Sequence, residues 1–153
     1  MTGVQTCALP IYGVGVDEET QRHLVVASTL KTVISQIKQI PQGATIGYER
    51  KGVAQRPMKV ATLAIGYADG FSRALGNGQG KVWINGQLVP VVGHVCMDMT
   101  MVDVTDIDTE EGDEVIIFGK ELPIAEVAAA AGTITYEVLT NVSERVKRVY
   151  YTS

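Results

Sequence analysis

Apolar and polar positions change period several times along the chain, and most apolar runs are short. Met58 to Ile65 (MKVATLAI) reads as a strand, bounded by Pro57 and Gly66. Lys81 to Ile84 and Gln87 to Val92 flank Asn85-Gly86, a dipeptide suited to a type I′ hairpin because both central residues take positive φ. Cys96 to Val104 alternates as CMDMTMVDV, with Met97, Met99 and Met101 opposite Asp98, Thr100 and Val102, which predicts another strand. Glu114 to Phe118 (EVIIF) follows the Glu111-Gly112-Asp113 turn as a strand, and Val146 to Tyr151 reads as a closing one. Leu24 to Ile40 stays open. Leu30, Val33, Ile34 and Ile37 suit a helix face, whereas Thr29, Val33, Ile37 and many β-branched residues suit a long strand. Pro41-Gln42-Gly43 stops it, and Thr45 to Tyr48 is short and extended. Pro123 to Ala131 predicts a helix with Pro123 at its first position and Gly132 just past its end; Tyr136 to Val142 suggests a second short one. Short strands at roughly 8–15-residue spacing, with one or two short helices, predict a mainly β fold: a closed or nearly closed β-barrel. No repeat, low-complexity tract or second domain boundary interrupts it.

Composition narrows the function classes. The 153 residues are 46% hydrophobic and 20% charged, enough apolar surface to offset chain entropy. A net charge of −4 argues against a nucleic-acid partner, which selects a basic excess. No apolar run approaches the ~18 residues that span a bilayer, so no membrane partner is expected. Two cysteines, Cys7 and Cys96, make neither a disulfide scaffold nor a zinc ribbon, and a cytoplasmic setting follows as the default. His23 and His94 are isolated, so no metal site is expected; no Ser/His/Asp order stands out; and Gly76-Asn77-Gly78-Gln79-Gly80 lacks the strand-then-helix context of a phosphate loop.

Met1 to Ile11 (MTGVQTCALPI) carries no charge, no clear period and no basic leader, and resembles a translated sequencing adaptor opened by a start codon. The alternative is a genuine N-terminal tail. The adaptor reading leaves Cys96 as the native cysteine, residues 12–153 as the domain, and the chain as a fragment that begins upstream.

Three segments carry a resemblance. They are Ile65 to Arg73 (IGYADGFSR), Val92 to Met99 (VGHVCMDM), and Thr133 to Leu139 (TITYEVL), the last followed by Arg145-Val146-Lys147-Arg148-Val149. In this order and spacing they resemble the C-terminal domain of alanine racemase across residues 12–153. The IPQG and LGNGQG segments and the ending RVKRVYY are most similar to the racemase half of a bifunctional Bacteroidetes-type enzyme, in which it follows a Mur ligase domain. The resemblance implies a head-to-tail homodimer that interconverts L- and D-alanine for peptidoglycan. An N-terminal barrel, absent here, carries the lysine that holds pyridoxal phosphate, and the C-terminal domain completes the second subunit's site. Lys31, Lys38, Lys51 and Lys59 show no cofactor context, so the fragment alone is expected to be inactive.

Racemisation removes the α-proton from one face and returns one to the other, so each face needs an acid/base group. The resemblance makes Tyr67 the catalytic group on one face. A tyrosine with an ordinary pKa near 10 is a poor base at neutral pH. Cations from the partner's barrel must therefore stand near it. By the same resemblance the Met97 N–H binds the substrate carboxylate and Tyr136 contacts the cofactor phosphate. Tyr48 and Ile134 line the access route, and Asp98 is either a structural or a site-lining polar residue. His94 stands where better-known members often carry arginine or asparagine. At the entrance it would add an ionisable group. Tyr67, Tyr136 and Met97 are expected near one face, on a domain that exposes an apolar patch. Two alternatives stay open. One is a free-standing β-barrel binding or assembly module, which folds without a partner and makes no use of Tyr67. The other is a racemase of another amino acid such as serine, distinguished by contacts near Met97 and Tyr136.

Overall fold

The computed structural model describes Gly13, Glu19, residues 23–47 and residues 52–151; Met1 to Ile11 and Tyr48 lie outside the described residues. Strand β1 (Leu30–Ile40) resolves the open segment. It is long enough to serve two neighbours. Its second half pairs with β4 (Met58–Leu63), from Ile34↔Leu63 to Ile40↔Met58, and its first half with β8 (Glu114–Phe118), from Leu30↔Phe118 to Val33↔Glu114. Register shifts at Leu30/Lys31 and Ile34/Gln36 bend β1 between them, which is how a sheet turns a corner.

β5 (Lys81–Ile84) and β6 (Gln87–Val92) form the hairpin expected at Asn85-Gly86, whose φ values are 45° and 87°. β7 (Thr100–Asp103) lies between β4 and β6. The order β1-β4-β7-β6-β5-β8 closes on itself with every pairing antiparallel, so the barrel has no free edge. Inside it Ile34, Leu63, Val82, Ile84, Val89, Val91, Val102, Val104, Val115 and Ile117 are at most 1% exposed. A two-stranded ribbon, β2 (Thr45–Ile46) with β3 (Gly52–Val53), brings Ile46 to a smaller cluster with Ala54, Met58 and Val60.

Helix α1 (Ile124–Ala131) buries Val127 and Ala128, and Gly132 ends it at φ 70°. Pro123 caps this helix rather than occupying its first turn. Helix α2 (Thr135–Thr140) follows. Two expectations need correction. The strand predicted from Cys96 begins only at Thr100, because residues 96–99 fold into a reversal instead. The strand predicted over Val146 to Tyr151 is absent: β8 already pairs with β1, leaving no edge to take it, and Val149, Tyr150 and Tyr151 are exposed. Among the described residues no helix is long and apolar enough to cross a membrane.

Candidate functional site

β4 delivers the chain to one end of the barrel, where Ile65 is buried and Gly66 begins a tight 3-10 turn, Tyr67–Asp69. Asp69 closes that turn from within, its Oδ2 accepting from the Gly66 N–H at 2.9 Å. Gly70 ends it at φ 106°, a conformation that favours glycine. Tyr67 is 41% exposed, while its backbone is fixed: the Tyr67 N–H donates to the Cys96 carbonyl at 2.9 Å and the Ala68 N–H to the Met97 carbonyl at 3.0 Å. A buried strand end thus holds an exposed phenol. The Arg73 guanidinium lies 5.9 Å from the centre of the Tyr67 ring.

The facing loop is the 96–99 reversal, in which the Cys96 N–H donates to the Met99 carbonyl at 2.9 Å. Met97 and Met99 are 49% and 47% exposed, so they are surface residues rather than one face of a strand. Fully buried Thr100 donates from Oγ1 to the Ile65 carbonyl at 2.8 Å, locking this loop beneath the Tyr67 turn. The Met97 N–H has no acceptor among the described residues, which leaves it free to bind an anion.

A third segment arrives from α2. The Ser143 N–H donates to the Asp69 carbonyl at 3.1 Å, and Gly70 lies against Asn141, whose oxygen is 2.3 Å from where a Cβ on Gly70 would sit. Arg145 then bridges the two carboxylates, from Nε to Asp69 Oδ1 at 2.7 Å and from Nη2 to Asp98 Oδ1 at 2.6 Å. Partial burial works against ionisation of Asp69, but the Arg145 guanidinium and the Gly66 N–H outweigh it and hold the carboxyl below its usual range. Asp69, and then Asp98, push the Arg145 guanidinium up in turn.

The structure therefore brings Tyr67, Met97 and Asp98 together. Tyr136 is half-buried on α2, whose C-terminal end leans on the Tyr67 turn, and its hydroxyl is buried. Ile134, just before α2, is 64% exposed. Half-buried His94 meets Asn77 Nδ2 at 3.3 Å through its Nδ1. His23 is exposed, with its Nδ1 2.9 Å from the Glu19 carbonyl. Arg73, Asp69 and Arg145 were missed as contributors in sequence, although IGYADGFSR and the run from Arg145 to Val149 contain them. Lys31 and Lys59 are engaged elsewhere, with Glu114 and the Thr109 carbonyl. Among the described residues no group of three His, Cys, Asp or Glu could hold a metal ion.

Comparison with known proteins gives these features a family. The model of the alanine racemase C-terminal domain matches residues 27–150. An alanine racemase of Clostridium novyi (strain NT) is 47% identical over 139 residues, covering 87% of this chain and 36% of that protein. One from Clostridium perfringens (strain SM101 / Type A) is 43% identical over 152 residues, covering 94% and 39%. The chain thus spans a little over a third of the length of these relatives. The crystal structure of alanine racemase from Bartonella henselae with covalently bound pyridoxal phosphate superposes with a TM-score of 0.85 at 36% identity, over 94% of this chain and 40% of that one. The Clostridium difficile 630 alanine racemase in complex with cycloserine gives 0.81 at 41%, over 89% and 37%. A match across most of the barrel, at identities above 40% to whole racemases, places the chain in the alanine racemase C-terminal domain family.

Proposed function

We propose that this chain is the C-terminal part of a pyridoxal-phosphate-dependent alanine racemase that interconverts L- and D-alanine for peptidoglycan synthesis. In this reading, residues 12–153 complete the site of a second subunit in a head-to-tail cytoplasmic homodimer. The observation that carries it is the pairing of an exposed phenol with an unpaired main-chain donor: the Tyr67 turn is hydrogen-bonded directly to the loop of Met97.

Pyridoxal phosphate, when bound, supplies the electron sink that stabilises an α-carbanion. Among the described residues, which do not include Lys51, the donor set fits one side of an anionic ligand and not the covalent anchorage, for which neither Lys31 nor Lys59 is placed. Tyr67 Oη takes the α-proton on one face of the substrate and returns it in the reverse direction. The Met97 N–H holds the substrate carboxylate, an assignment independent of the methionine side chain. Tyr136 would contact the cofactor phosphate, and Ile134 would narrow the approach. Asp98 holds its loop through Arg145 rather than touching substrate. His94 and Tyr48 belong to the access side.

The test is Tyr67→Phe in the full-length enzyme, followed by racemisation and by solvent-deuterium exchange at the α-carbon from each enantiomer. Racemisation should fall roughly 100- to 10,000-fold. Exchange should survive from one enantiomer only, because the second base is intact. Racemisation within about threefold of the parent, against the effect expected of a general base, would sink the assignment.

A further inference from the structure

We propose that Arg145 is a positioning residue for this reaction, holding the Tyr67 turn and the Met97 loop in one fixed relation by spanning Asp69 and Asp98. The inference rests on the acid/base reading of Tyr67 given above.

Two main-chain hydrogen bonds, from Tyr67 and Ala68 to Cys96 and Met97, join the turn to the loop along a single edge. The buried Thr100 hydroxyl, on the Ile65 carbonyl, locks the base of the loop, but the exposed tip of the turn with its phenol is held to the loop only along that edge, about which it can still tilt. The Arg145 fork adds a tie away from that edge: Nε meets the turn at Asp69 and Nη2 meets the loop at Asp98. A planar guanidinium suits this task because its donors are fixed relative to one another. Asp69 cannot drift to meet it, since its other oxygen is held by the Gly66 N–H and its side chain is only 15% exposed.

The segment that carries Arg145 is itself fastened. Ser143 bonds to the Asp69 carbonyl, and the Arg148 guanidinium gathers the carbonyls of Val142, Ser143 and Val146 at 2.9, 3.3 and 3.4 Å. The Arg145 side chain is about half exposed, so its ion pairs add little to stability. Geometry is their larger contribution, and a displacement of about 1 Å at a reacting group costs on the order of 100-fold in rate.

The experiment uses the full-length enzyme with Arg145→Ala, Arg145→Lys and Tyr67→Phe, alone and combined. Arg145→Ala should lower kcat roughly 10- to 100-fold. The loss in kcat should be larger for α-proton exchange from the enantiomer that Tyr67→Phe silences than from the other, which shares only the Met97 carboxylate contact. Arg145→Lys keeps one ion pair and should recover part of the rate. Adding Arg145→Ala to Tyr67→Phe should cost much less than it does in the parent, because most of its effect passes through Tyr67. Independently of activity, hydrogen–deuterium exchange by mass spectrometry should accelerate in residues 66–70 and 96–98 together and not in the barrel strands. Equal loss from both enantiomers, or faster exchange throughout the barrel, would overturn the proposal in favour of a fold-supporting role. Unchanged kinetics beside an intact Tyr67→Phe effect would overturn it alone. A Tyr67→Phe enzyme that racemises normally would remove the underlying reading as well.

Discussion

Gly66 packs directly on the main chain of Met97: a Cβ placed on Gly66 would lie 2.3 Å from the Met97 carbonyl oxygen and 2.4 Å from that of Cys96. Gly66 has an extended backbone at φ −147°, which any residue adopts, so the requirement is for room and not for conformation. The atoms in the way are backbone and cannot swing aside. Gly66→Ala must push the turn off the loop, stretching the Tyr67–Cys96 and Ala68–Met97 bonds. We expect a loss of about 1–3 kcal/mol in denaturant unfolding of the full-length enzyme, together with a fall in racemisation. A variant as stable and active as the parent would show that the two segments need not touch.

Thr100 ties the same two segments from below. Its hydroxyl is fully buried and donates to the Ile65 carbonyl, one residue before Gly66. Thr100→Val keeps the shape and removes the donor, leaving that carbonyl without its partner. The expected cost is about 1–3 kcal/mol by urea unfolding. Thr100→Ser retains the bond and should lie closer to the parent. A Val variant as stable as the parent, with Ser the less stable of the two, would mean that the methyl contacts, not the hydrogen bond, matter there.

Local chemistry made part of this fold legible. Asn85-Gly86 and Glu111-Gly112-Asp113 are turns wherever apolar runs flank them, and Gly112 and Gly86 do take positive φ. β1 was ambiguous for a physical reason. Its register shifts break the two-residue alternation, so Leu30, Ile34 and Ile37 face the core at spacings of four and three, which imitate a helix. The alternation in CMDMTMVDV ran on through a reversal because exposed methionines read as core residues. At the site, Tyr67 and Met97 were reached through family resemblance. The Asp69–Arg145–Asp98 bridge was not, since its members are 76 and 47 positions apart and single-sequence patterns carry no information at that range.

The bridge should leave a signature in pH. Burial opposes the charge on Asp69, but Arg145 and the Gly66 N–H prevail, so its folded pKa lies below the ordinary 3.8. The folded state then binds fewer protons than the unfolded one, and the group stabilises the fold above about pH 3.8. That contribution disappears as pH falls through the folded value. Asp69→Asn should therefore lower the Tm of the full-length enzyme near neutral pH, and the gap should close progressively below about pH 4. A Tm gap that stays constant down to acid denaturation would assign the loss to altered hydrogen bonding and not to the charge.

Among the described residues, Arg73 is the cation that lies over the Tyr67 ring. It sits on a 3-10 turn, Arg73–Leu75, capped by Ser72, whose Oγ accepts from the Ala74 N–H at 3.2 Å, and pinned by Leu75 at 2% exposure. The turn sets the Arg73 side chain where its guanidinium reaches over the ring. A partly exposed cation over an aromatic face contributes about 0.5–1 kcal/mol. If that attraction is spent on orienting the phenol, Arg73→Ala should lower kcat/KM roughly 2- to 5-fold. Arg73→Lys, which keeps the charge, should lose less. Because Leu75 anchors the turn, unfolding stability should stay within about 0.5 kcal/mol, as expected for a surface substitution. A kcat/KM identical to the parent in Arg73→Ala would mean that the ring is oriented by its own turn alone, and that the cations acting on Tyr67 all come from the partner subunit.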